Sequence, residues 1–239
     1  MRSGPDISVL TGVRGRMLRP ALAIVQKDLR MEFRSKESIL AMWIFSLLIF
    51  VIFNFTFEVS RLVMLEIAPG LLWVAFIFSG MFGLNHSFAV EKENGNLRSM
   101  ALMPVSGGEI YLGKFLSVTI IMLLFELLIF PIFIIFYDLQ LTGTLFLLIP
   151  VVLTGTLGFT SLGTILSAVS VHTRNQQILL SLLLWPLVSP IIIWAVNLTS
   201  MVLAGEILAN FWPLLIRIAA FDIIFFTLSF MLFDYILED

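Results

Sequence analysis

Residues 39–57 read ILAMWIFSLLIFVIFNFTF, nineteen positions without an aspartate, glutamate, lysine or arginine. Such a stretch matches a bilayer hydrocarbon core of about 30 Å at about 1.5 Å per helical residue. In lipid every backbone amide and carbonyl needs a partner within the segment or its neighbours, so the stretch is a helix. Downstream, residues 67–88 form a second uncharged run, and 115–136 a third whose one charge is Glu126. Residues 139–171 are uncharged and long enough for a fourth span with a polar start. A fifth span is expected at about 177–197, and a sixth at about 214–233, which carries Arg217 and Asp222. The expected fold class is an all-α polytopic membrane protein with six transmembrane helices.

Composition agrees. Of 239 residues 59% are hydrophobic and 13% charged, half the roughly 25% charge of a soluble domain. Mean hydropathy is +1.05. One membrane domain, residues 38–235, is expected. The absence of cysteine excludes disulfides, thiolate metal sites and cysteine nucleophiles. The two histidines, His86 and His172, fall at a span end and in a short loop, where capping or interfacial roles are the rule. They are too few for a zinc or haem site, so no metal, catalytic group or prosthetic cofactor is expected. No apolar run precedes residue 38, so no cleavable signal peptide is expected.

Loop charge sets the orientation. Eight lysines and arginines precede the first span; Lys92, Arg98 and Lys114 lie between spans two and three, and Arg174 between four and five. Twelve of the fourteen thus share one side, leaving Arg61 and Arg217 on the other. The positive-inside rule puts both termini in the cytoplasm, as an even number of spans requires.

Residues 1–17 are expected to be a flexible cytoplasmic arm. In 18–37, Leu18, Leu22, Val25, Leu29 and Phe33 repeat at helical spacing, with Lys27, Arg30 and Arg34 on another side. This is the pattern of an amphipathic helix lying in the membrane interface. Residues 198–212, LTSMVLAGEILANFW, are too apolar for a free loop and too short to span twice; a short re-entrant or surface-lying helical pair is expected. Span four is rich in small residues from Thr154 to Thr164, which suits close helix–helix packing, with a polar pore lining as the alternative.

The longest internal segment on the basic side is 89–114. Glu91, Glu93 and Gly95 precede an apolar group that includes Leu97, Met100 and Leu102, and Pro104 breaks the helix. A coupling helix at about 89–110 is expected, either packed on its own protein or docking a soluble partner. Residues 108–114, GEIYLGK, approach a phosphate-binding loop, but Phe115 stands where a magnesium-binding hydroxyl is required and no strand precedes it. Lys114 is instead expected to anchor the inner end of span three by snorkelling. Glu126 lies about 22 Å along the helix from Tyr111. A carboxyl at that depth is protonated, paired or facing a polar cavity, which makes Glu126 a candidate for a substrate path. Glu66, before Pro69, is a candidate for its outer mouth. The glycosylation-type triplets at Asn54, Asn85 and Asn197 are chance matches.

The order assembled here resembles the six-helix permeases of ABC-2 type exporters. Within these, residues 68–73 (APGLLW), the acidic segment Glu91–Glu93–Gly95–Leu97 with Pro104, and 110–114 (IYLGK) resemble the CcmB family, the haem-exporter permease of cytochrome c biogenesis. Residues 18–38 are also similar to that family's opening. The resemblance covers roughly 18–235 and is strongest over 66–116. It implies a non-enzymatic permease subunit in the bacterial inner or plasma membrane. It also implies a homodimer pairing with a CcmA-like ATPase, alongside CcmC-like and CcmD-like membrane subunits. Haem is implied as cargo, not as a bound group. Glu91, Glu93, Gly95, Leu97, Met100, Leu102 and Pro104 then become the ATPase-coupling residues, moving spans one, two and five. The family often carries a polar, basic stretch after the proline, whereas this chain has VSGG at 105–108; this leaves room for a lipid, glycan or drug cargo. An ATPase-independent ion-coupled transporter using Glu126 is the alternative from another class. No nucleic acid partner is expected.

Overall fold

The computed structural model describes residues 7–56, 61–93, 105–139, 144–171, 173, 175–205 and 210–238. The helices are α1 (Ile7–Ser35), α2 (Glu37–Thr56), α3 (Arg61–Glu93), α4 (Gly107–Phe136), α5 (Leu148–Val171, entered through a 3₁₀ turn at Leu145–Leu147), α6 (Gln176–Leu203) and α7 (Phe211–Glu238). Six of them, α2 to α7, are long and apolar enough to cross a membrane. The chain is an all-α multi-pass membrane protein.

α3 is the innermost helix, with 72% of its apolar window buried, whereas α2 at 17% lies at the periphery. α3, α4 and α5 pack on one another, and α2, α6 and α7 surround them. Gly155 of α5 lies under the Trp73 ring of α3, where an added Cβ would sit 2.1 Å from the indole. The indole N–H donates to Thr199 Oγ1 at 3.0 Å, tying α3 to α6. Gly163 meets Leu84 of α3 in the same way. The small residues of the fourth span thus make the close helix–helix contacts expected of them.

Polar groups at helix ends are satisfied across the bundle. Asn54 Nδ2, near the end of α2, donates to the Phe136 carbonyl that closes α4, at 3.1 Å. Lys36, at φ 58°, turns the chain between α1 and α2.

Two expectations are corrected. The chain is helical from Ile7, so residues 7–17 extend α1 instead of forming a flexible arm; adding turns to an existing helix costs far less than nucleating one. Residues 198–203 continue α6 without a break and α7 starts at Phe211; no separate re-entrant helix exists among the described residues there, because one long helix pairs the backbone of an apolar run more simply than two short ones. Of the expected 89–110 coupling helix, 89–93 belong to α3 and 107–110 to α4, and 94–104 lie outside the described residues. Gly95, Leu97, Met100, Leu102 and Pro104 lie outside the described residues, as do His172 and Arg174. α1 packs one face against the bundle. Ala21, Val25, Asp28 and Glu32 are buried, Leu29 is half-buried, and Leu22 and Phe33 are more than half exposed. The buried face is chosen by two acids that have partners on other helices.

Candidate functional site

Three polar assemblies interrupt the apolar bundle. Two lie at the end that holds α1, the start of α4 and the end of α7, called here the basic end. The third lies deep in the spans.

The first assembly starts from α1. Asp28 and Glu32 stand one turn apart and point at the bundle, both nearly fully buried. Asp28 Oδ2 pairs with Lys114 Nζ of α4 at 2.9 Å, and its other oxygen lies 3.2 Å from Lys27 Nζ. Lys114 is 1% exposed. It also donates to the Ser87 carbonyl and hydroxyl of α3 at 3.2 and 3.3 Å, and sits 5.2 Å from the centre of the Phe88 ring. Lys114 is therefore not a snorkelling anchor. Because α4 begins eight residues before the expected span, its ammonium lies inside the protein, where an internal carboxylate replaces water. Glu32 Oε1 accepts the free Ile39 N–H in the first turn of α2 at 3.2 Å, so a side chain of α1 caps α2. Its other oxygen is 3.8 Å from His86 Nε2 of α3. A cavity of about 170 Å³ opens between Asp28, Glu32, Glu37, His86 and Ser87. Among the described residues no three His, Cys, Asp or Glu side chains group closely enough to hold a metal ion.

The second assembly surrounds the start of α4. Ser106 and Glu109 form a reciprocal capping box, and the Gly107 N–H donates to the Asp234 carboxylate near the end of α7. One turn on, the fully buried Tyr111 ring lies among Phe226, Phe230 and Phe233 of α7, with ring centres 5.6, 6.4 and 5.4 Å away. Its hydroxyl meets Ser161 Oγ of α5 at 3.0 Å.

The third assembly is a seam between α4 and α5. Glu126 is 3% exposed, and Thr156 Oγ1 lies 2.7 and 2.8 Å from its two carboxyl oxygens. Thr160 donates to the Thr156 carbonyl at 2.8 Å and meets Thr119 at 2.8 Å. Glu126 is thus hydrogen-bonded to a neighbouring helix. Beside it lies a cavity of about 270 Å³ whose other lining residues, among them Phe76, Phe130 and Val152, are all apolar. That volume is below the range of about 300–1,000 Å³ that encloses drug-sized ligands. Glu66 is exposed on α3.

The seam yields a prediction. Glu126→Gln keeps an acceptor for Thr156, so its effect on thermal stability is expected to be small. Glu126→Leu leaves a buried hydroxyl without its partner and costs about 1–3 kcal/mol. Thermal unfolding of both variants in one detergent checks this; equal midpoints would mean the Thr156 contact contributes nothing.

Sequence reasoning missed Asp28, Glu32 and Asp234. It also left Asp222 as a mere irregularity of the last span, whereas the structure buries Asp222 against Gly158 of α5, where an added Cβ would lie 2.2 Å from its Oδ1. The available signal was an acid on the wrong face of a helix, Asp28 and Glu32 being in register with Ala21 and Val25. Glu91 and Glu93 end α3, directly before the segment assigned to docking.

Comparison with known proteins agrees with this architecture over most of the chain. A family model described as CcmB protein matches residues 19–235. Relatives include proteins named heme exporter protein B from Haemophilus influenzae, 28% identical over 73% of this chain and 78% of its own, and from Rhodobacter capsulatus, 27% identical over 74% and 80%. A third, of the same name from Paracoccus denitrificans, is 29% identical over 77% and 84%. With six apolar helices in place and the family match running from α1 to the end of α7, this chain belongs to the CcmB protein family.

Proposed function

We propose that this chain is the membrane-spanning permease subunit of an ABC-type transporter, acting in haem handling for cytochrome c maturation and driven by a separate CcmA-like ATPase. The family match over 19–235, with relatives that carry the name heme exporter protein B, is the observation that carries this reading. The chain works as two copies, with CcmC-like and CcmD-like subunits alongside, and performs no catalysis of its own. Haem is cargo rather than a resident group. The docking segment comprises Glu91, Glu93, Gly95, Leu97, Met100, Leu102 and Pro104.

Both termini are placed in the cytoplasm of a cell whose inner or plasma membrane holds the protein. Reporter fusions after Asp239 and beside Arg61 are expected to fall on opposite sides, the first inside; fusions reporting from the same side would end the six-span topology. The test of function is affinity purification of the tagged chain in mild detergent. An ATPase subunit is expected to co-purify and to hydrolyse ATP, and loss of the chain is expected to abolish c-type cytochrome maturation. Normal maturation without it would overturn the assignment.

A further inference from the structure

We infer that Asp234, with the first turn of α4, forms a rigid joint through which movement of the docking segment is delivered to α7. The inference rests on the permease reading above. It deepens that reading by naming a further helix that receives the stroke, beside spans one, two and five, which the family resemblance implied.

Chain order supplies the input. Residues 94–104 lead through Val105 and Ser106 directly into Gly107, the first residue of α4, so displacement of that segment acts first on this turn. A helix start has orphan N–H groups that must find acceptors. Ser106 Oγ accepts from the Glu109 N–H at 3.3 Å, while the Gly107 N–H is taken by Asp234, a carboxylate from another helix. An anion at a helix N-terminus is also favoured by the helix dipole. Asp234 thus supplies the cap of a helix to which it does not belong.

Steric contact makes the joint close. A Cβ on Gly107 would lie 2.6 Å from Asp234 Oδ1 and 2.8 Å from its Cα, so the two backbones touch. A Cβ on Gly108 would lie 2.7 Å from the Phe230 ring. Tyr111 then fills the space between Phe226, Phe230 and Phe233. Hydrogen bond, backbone contact and ring cluster fall on successive residues of one face of α4. A surface packed to this density has no room to slide and moves as a unit. Asp234 is a positioning residue, acting through α4 and touching no cargo.

The test uses the whole complex with its ATPase. The chain has no cysteine, so one introduced at the exposed Tyr235 carries a single environment-sensitive bimane label on α7. The labelled parent is expected to change its emission when ATP is bound and trapped. Asp234→Ala is expected to leave the ATPase bound at parental stoichiometry. Its ATP-induced change falls roughly fivefold, the population shift that corresponds to a lost helix cap of about 1 kcal/mol. Asp234→Asn, which keeps an oxygen for the Gly107 N–H, is expected to retain the change, a rescue that loss of general stability would not give. Either a full emission change in Asp234→Ala or no change in the parent would overturn the joint. Failure of any ATPase to co-purify with the parent would instead overturn the permease reading on which it rests.

Discussion

Lys114→Met is expected to destabilise the folded protein by about 3–5 kcal/mol, the cost of leaving one member of a buried ion pair without the other. The size follows from enclosure. Lys114 is 1% exposed and Asp28 5%, so neither charge regains water when its partner is lost. The ammonium is surrounded by groups that compensate its desolvation: one carboxylate oxygen, the Ser87 carbonyl and hydroxyl, and the face of Phe88. Methionine fills a similar volume but supplies no donors, and Asp28 would then keep only Lys27, on its own helix and partly in solvent. The double variant Lys114→Met/Asp28→Leu removes both charges and is expected to recover most of the loss, since replacing a buried pair with apolar groups is often nearly neutral. Lys114→Arg is expected to fall with the single variant, because the larger guanidinium does not fit a site closed on α1, α3 and α4 together. Unfolding midpoints of the three variants in one detergent check the ordering. A Lys114→Met protein as stable as the parent would show that the pair does not hold α1 to the bundle.

This result bears on what the sequence made legible. Six spans could be read because lipid demands about twenty apolar residues in a row, a local signal that needs no knowledge of partners. The capping box at Ser106 and Glu109 is also local. Lys114 was misplaced for the opposite reason: a lysine at the edge of an apolar run looks like a snorkelling anchor unless Asp28, eighty-six residues earlier, is known to face it. The same distance hid Glu32, whose role as a cap for α2 depends on the tight turn at Lys36, and Asp234, whose partner is a backbone amide at Gly107. Hydropathy assigns an acid to water by default, so it gave no sign that Asp28 and Glu32 face the bundle. Glu126 was found by the same default because no water exists at its depth; its partner Thr156 lay within a run of small residues whose close packing the sequence did suggest.

Leu97→Asp is expected to abolish co-purification of the ATPase while leaving insertion in the membrane intact, the largest functional effect foreseen for one substitution. The segment that holds Leu97 follows Glu91 and Glu93 at the end of α3 and precedes the clamped start of α4, so its two ends are fixed to helices of the bundle. Leu97, Met100 and Leu102 are apolar and lie in sequence between charged and turn-forming residues, and the proposed ATPase would cover them. Buried apolar contact supplies most of the energy of such a docking, about 25 cal/mol per Å² before association costs, and a carboxylate at its centre forfeits that contact and adds its own desolvation. Charges at the rim act differently, through rate and specificity. Glu91→Lys is therefore expected to weaken binding and to make it more sensitive to salt, without abolishing it. Proline breaks a helix, so Pro104→Ala is expected to keep the ATPase bound while separating ATP turnover from cytochrome maturation. Stoichiometry and ATP turnover measured for all three variants in one detergent distinguish these outcomes. Should Leu97→Asp still hold the ATPase at the parental ratio, the docking contact must lie elsewhere. The fixed ends of α3 and α4 would then be structural devices, not the two arms of a lever.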